Sequence, residues 1–165
     1  MKLTVKHILY IFVALFPFAL AQTGGETGGT AMGGEIEGLV TVQSTASVDE
    51  TLANLEAALE ENGLITVAVV DHSANAENAG LELPPTRLVI FGNPNVGTPL
   101  MQAARTVAID LPQKMLIYED EAGDVFVAYN DPQYLAERHG LSGVDEPLAM
   151  VTNALSNLAN AAAGQ

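Results

Sequence analysis

The chain has 165 residues, with 20 acidic against 6 basic side chains and a formal charge of −14. Hydrophobic residues make up 48% and charged ones 16%, which excludes a disordered polyelectrolyte and leaves room for one domain with a real core. The acidity argues against a nucleic-acid partner, and the absence of cysteine excludes disulfides, iron–sulfur clusters and thiolate nucleophiles.

Residues 1–21 read as a secretory signal. Lys2 and Lys6 precede an apolar run from Ile8 to Leu20, and Ala19-Leu20-Ala21 places small residues at the −3 and −1 sites. The run is short for a membrane span, which needs about 20 residues; a retained anchor is the rival reading. Cleavage after Ala21 leaves 144 residues (165 less 21), in which only Arg87, Arg105, Lys114 and Arg138 are basic and the charge is −16. A periplasmic or extracellular protein with no stable membrane insertion is expected. Residues 22–34 are glycine-rich and read as a flexible linker, and a single domain is expected over 35–165.

Ile36, Val40, Thr41 and Val42 suit a first strand between Glu35 and Ser44. Ser47-Val48-Asp49-Glu50 matches a helix capping box, and Val48, Leu52, Leu55 and Leu59 form one face of the helix that Gly63 stops. Leu64–Val70 is a continuous apolar run and reads as a buried strand. Asp71–Pro85 reads as a loop with at most one helical turn, followed by a strand over Thr86–Phe91. Gly92 to Gly97 is dense in turn residues, with Thr98-Pro99 as the start of a short helix over Leu100–Val107. Strands are expected over Lys114–Asp120 and from Val125 to Tyr129, joined by a hairpin at Glu121-Ala122-Gly123. Asp131-Pro132 caps a helix ending near His139 and Gly140. Leu148, Val151, Leu155, Leu158 and Ala162 give the last helix, Glu146–Ala163, the clearest apolar stripe in the chain. The hairpin requires an antiparallel pair, and the stripes require a sheet face to cover. The order therefore points to a two-layer α+β domain with a mixed, largely antiparallel sheet of about five strands.

Several segments in one order carry a resemblance. They are Asp71-His72-Ser73-Ala74-Asn75-Ala76, Leu83-Pro84-Pro85-Thr86-Arg87-Leu88-Val89-Ile90-Phe91-Gly92-Asn93-Pro94, Gly97-Thr98-Pro99-Leu100-Met101, Ala108-Ile109-Asp110-Leu111-Pro112-Gln113-Lys114, Tyr118-Glu119-Asp120 and Tyr129-Asn130-Asp131-Pro132-Gln133-Tyr134-Leu135-Ala136. Together they resemble the bacterial family called domain of unknown function 302, over roughly Glu35 to Ala162. The resemblance implies a compact α+β fold with a TATA-binding-protein-like layout, and often a homodimer. It implies no settled activity and no known cofactor.

Six residues are candidates for binding a ligand: His72, Asn93, Thr98, Asp110, Tyr118 and Tyr129. His72, with Asp71, Asp110 or Tyr118, has the chemistry for proton transfer or for weak metal binding; the plainer role is bonding within its own turn. His139, at a helix C-terminus, is favoured there by the helix dipole. Asn93 and Asp110 each sit beside a proline-fixed backbone at a strand end, where they line a pocket or simply close a turn. Tyr118 and Tyr129 are expected on the same side of adjacent strands. No nucleophile elbow, zinc-protease motif or paired catalytic acids occur, which weighs against an enzyme. The leading expectation is a non-catalytic exported module for a small molecule or metal. The alternatives are an envelope enzyme using His72 and Asp110 for proton transfer, and an acidic protein-interaction module.

Overall fold

The computed structural model describes residues 36–165. The expected signal, residues 1–21, and linker, residues 22–34, lie outside the described residues. In chain order the elements are β1 (Leu39–Ser44), α1 (Val48–Glu61), β2 (Ile65–Asp71), α2 (His72–Asn78), β3 (Thr86–Gly92), α3 (Pro94–Ala103), a 3-10 turn at Arg105–Ile109, β4 (Gln113–Glu119), β5 (Val125–Asn130), α4 (Pro132–His139) and α5 (Asp145–Ala162). The five strands form one sheet in the order β1-β5-β4-β3-β2. Every neighbouring pair is antiparallel, so the sheet expected as mixed has no parallel pair among the described residues.

Local chemistry sets the element ends. Ser47 Oγ accepts from the Glu50 amide at 3.3 Å and the Glu50 carboxylate accepts from the Ser47 amide at 3.2 Å, the reciprocal cap that starts α1. These bonds hold the Glu50 carboxyl below its ordinary pKa. At the β4–β5 hairpin Gly123 takes φ 85°, a conformation that side chains with a Cβ avoid. Asp120 Oδ1 there accepts from the amides of Ala122 and Asp124, both at 2.9 Å.

Three segments differ from expectation. The run Leu64–Val70, expected as a buried strand, forms β2 at the sheet edge, where Ile65, Val67 and Val69 are exposed because β3 alone pairs with it among the described residues. Asp71–Pro85 contains a real helix, α2, because Asp71 Oδ1 accepts from the Ala74 amide at 2.8 Å and caps it. The helix expected over Leu100–Val107 runs instead from Pro94 to Ala103, and Val107 falls in the 3-10 turn. Asn93-Pro94 and Thr98-Pro99 both carry a cap followed by a proline, and the chain uses the first pair. Asn93 Oδ1 accepts from the Asn95 amide at 2.9 Å, and Pro99 lies inside the helix.

Alternation along the strands gives one face to the core. Val89 and Phe91 on β3, Met115 and Ile117 on β4, and Val125 and Val127 on β5 are buried there. The apolar stripes of α1 (Val48, Leu55, Leu59) and α5 (Val151, Leu155, Leu158) pack onto that face and onto each other. Burying each such side chain contributes about 1.5–3 kcal/mol before entropy is counted. Ser44 and Thr51 are the polar residues inside this layer, and they satisfy one another through a 2.7 Å hydroxyl contact.

Candidate functional site

A cavity of about 410 Å³ opens at one end of the sheet, between α3, α5 and the ends of β2, β3 and β4. Its floor is buried and apolar: Phe91, Leu100, Val151, Leu155 and Leu158. Its rim is formed by the more exposed Ile65, Val67, Pro94, Thr98, Met150 and Ala154. None of the described residues that line it carries an ionisable side chain. The polar side chains present are those of Asn93, Thr98 and Gln113, all neutral. Small-molecule sites usually fall between 300 and 1,000 Å³, and apolar walls with a few polar groups are their common composition.

Of the six candidates, Asn93 and Thr98 lie on this wall. Asp110 lies just outside it, immediately before Leu111, Pro112 and Gln113, which do line it. Its carboxylate is already engaged. Asp110 Oδ2 is 2.6 Å from His139 Nε2 and 3.4 Å from an Arg138 nitrogen, while His139 Nδ1 is 3.1 Å from Thr106 Oγ1. Lys114 Nζ donates to the carbonyls of Asp110 and Pro112, both at 2.9 Å, so it ties down the same segment. Desolvation lowers the Lys114 pKa, opposed by the nearby Asp110 charge.

His72 is elsewhere. It opens α2 after Asp71, and Asp71 pairs with Arg87, whereas Gln113, close after Asp110, pairs with Phe91. Those positions are four residue steps apart on β3, Arg87 to Phe91, about 14 Å at the usual rise per residue. The register thus keeps His72 and Asp110 from sharing a proton, and His139 takes the place beside Asp110. The sequence placed His139 at a helix end but could not pair it with a residue 29 positions away. The end of the sheet near His72 has its own polar cluster: Arg87 Nη1 donates to Asp71 Oδ1 at 2.8 Å and also to Ser73 Oγ, and Ser73 Oγ donates to the same Asp71 oxygen at 2.9 Å. The backbone bond from Ala74, with help from Ser73 and Arg87 and against desolvation, holds the Asp71 carboxyl below its ordinary pKa.

The two tyrosines fall on opposite sheet faces, against expectation. Tyr118 pairs with Phe126 and stacks on it with ring centroids 5.6 Å apart. Tyr129 is buried on the core face with Val125 and Val127. Burial raises its hydroxyl pKa, opposed by a bond with Ser156. Neither tyrosine lines the cavity. Among the described residues, no group of three His, Asp or Glu side chains is placed to hold a metal.

The family model described as "Domain of unknown function DUF302" matches residues 40–159. A "Fluoride-specific ion channel FluC 1" of Brucella suis biovar 1 (strain 1330) is 50% identical over 117 residues, which are 70% of this chain and 46% of that protein. A protein of the same name from Brucella abortus biovar 1 (strain 9-941) is also 50% identical over 117 residues, 43% of its length. The chain thus spans less than half the length of these curated relatives. The crystal structure of an uncharacterized conserved protein DUF302 from Bacillus stearothermophilus matches with a TM-score of 0.69 at 19% identity, covering 77% of this chain and 99% of that one. At that identity the likeness shows the fold alone.

Two outcomes follow from the polar clusters. His139→Ala leaves Asp110 without its shortest partner, and the urea midpoint should fall by the equivalent of about 1–3 kcal/mol. An unchanged midpoint would mean that the Asp110–His139 contact contributes nothing to the fold. Because the folded Asp71 pKa lies below its unfolded value, its contribution is present above about pH 4 and is lost as pH falls through the folded value. Urea midpoints measured at pH 7 and pH 3 should therefore drop less steeply in Asp71→Asn than in the parent protein.

Proposed function

This chain belongs to the domain of unknown function DUF302 family, and from that premise we propose that it is an exported, non-catalytic module that binds a small molecule in the cavity between α3 and α5. The single observation that carries this reading is the cavity itself. A space of about 410 Å³, floored by Phe91, Leu100, Leu155 and Leu158 and open at an exposed rim, has the size and apolar walls of a small-molecule site. The polar side chains that approach it hold no charge and no metal-binding set, which favours binding over proton-transfer chemistry. Export rests on the secretory pattern of residues 1–21. The homodimer that the family resemblance implies is placed, in this reading, at the β2 edge. There Ile65, Val67 and Val69 are 59, 60 and 41% exposed on a strand with an unpaired side.

A second reading comes from the Brucella relatives, whose name is that of a fluoride-specific ion channel. In it, the stretch shared with them is an accessory domain that serves such a channel. No helix among the described residues is long and apolar enough to cross a membrane, so the conducting part would be contributed by another segment or chain.

The test is native mass spectrometry of the purified protein, with a Gly97→Phe variant beside it. Gly97 lies on the cavity wall, and a Cβ there would meet only Leu111 Cδ1, at an ordinary 3.9 Å. A Cβ is therefore accommodated at this position, and the added ring is chosen to occupy the cavity. The expected result is a non-covalent small-molecule mass on the parent protein that is lost from the variant. Bare protein in both samples, together with no thermal shift from any member of a metabolite panel, would contradict the reading. A thermal shift produced by fluoride and by no organic compound would instead favour the second one.

A further inference from the structure

We infer that the ligand is an uncharged, mostly hydrocarbon molecule of roughly sixteen carbon atoms with one neutral hydrogen-bonding end, an inference that rests on the cavity being the binding site. Size comes from proportion. An apolar cavity of about 150 Å³ accommodates one benzene, so about 410 Å³ takes a molecule somewhat under three times as large.

Charge comes from the walls and from what lies behind them. A buried ion without a partner is strongly disfavoured, and among the described residues the lining offers no side chain of either sign. The nearest cationic group along the chain, the Lys114 ammonium, is committed to the carbonyls of Asp110 and Pro112. The nearest carboxylate along the chain, that of Asp110, is committed to His139 and Arg138. Each group is anchored on the segment that leads into the cavity wall, yet none contributes its charge to the lining.

The position of the neutral end follows from the three polar side chains. Asn93 uses its carbonyl oxygen to cap α3. Its amide nitrogen is left as a donor, and no hydrogen bond to it is formed among the described residues. Thr98 sits on the rim with a hydroxyl, and Gln113 brings a whole carboxamide from the start of β4. These groups suit a hydroxyl, carbonyl or amide on the ligand, held at the mouth while the hydrocarbon part rests on Phe91, Leu155 and Leu158. A metal ion, a phosphate or a carboxylate has no matching charged partner among the described residues of this cavity.

Two dyes that share one aromatic skeleton separate the possibilities. N-phenylnaphthylamine is uncharged, and anilinonaphthalene sulfonate adds a single negative group. Fluorescence titration of the purified protein should show the uncharged dye binding at least tenfold more tightly, and Gly97→Phe or Ala154→Phe should abolish that binding. Gln113→Lys, which supplies a cation at the wall, should narrow the preference at least tenfold. Equal or tighter binding of the sulfonate, sensitive to the cavity-filling variants, would overturn the charge assignment while leaving the cavity as the site. Failure of both dyes to bind, or binding that persists in both filled variants, would overturn the site reading itself.

Discussion

The whole domain depends on burying one face of a five-stranded antiparallel sheet beneath α1 and α5. The strand order brings β1 and β5 together with β4 at the centre, and the two long helices cover the core face above them. Their stripes interlock with Val89, Met115, Ile117 and Val127, all essentially without solvent contact. Beside α5, over the ends of β2 and β3, the cover is instead the short α3. Gly97 and Ala154 are small residues on the cavity wall, which also includes Phe91. The cavity is thus the place where the helical layer is completed by small residues. Its apolar character is inherited from the core that it extends.

The same arrangement separates charge from the cavity. Lys114, Arg138, Asp110 and His139 gather behind the segment leading to Pro112, and Arg87, Asp71 and Ser73 gather at the opposite end of the sheet. Three of the four basic residues that follow the secretory pattern are therefore held in local contacts. The acidic excess falls largely on exposed helix faces and on the hairpin tip, as on Glu56, Glu60 and Glu121. That distribution suits a solvated surface better than a cation-binding device.

Features set by local spacing were legible in the sequence. The capping box at Ser47, the α5 stripe, the hairpin glycine and the α4 cap all depend on residues within a few positions of one another, and all stand in the structure. Features set by register were not. Tyr118 and Tyr129 fall on opposite faces because Tyr118 pairs with Phe126, which only the length of the hairpin turn decides. The start of α3 was ambiguous because two cap–proline pairs lie within seven residues. The Asp110–His139 contact joins α4 to the segment after the 3-10 turn, and nothing in either segment marks the other. The cavity was the least legible feature, since it is defined by missing side-chain volume among residues from five elements. The proline-flanked turns nonetheless pointed to Asn93 as a possible wall residue, because a strand end beside a fixed backbone is where such openings form.

The central claim is that a ligand occupies the space between α3 and α5, and methionine methyl NMR tests it most directly. Met101 and Met150 line the cavity, whereas Met115 is fully buried in the core and does not. On addition of an uncharged apolar probe, the methyl resonances of Met101 and Met150 should move together and saturably, with Met115 unchanged. Shifts confined to Met115, or no shift at any of the three under conditions where the probe binds, would contradict the account.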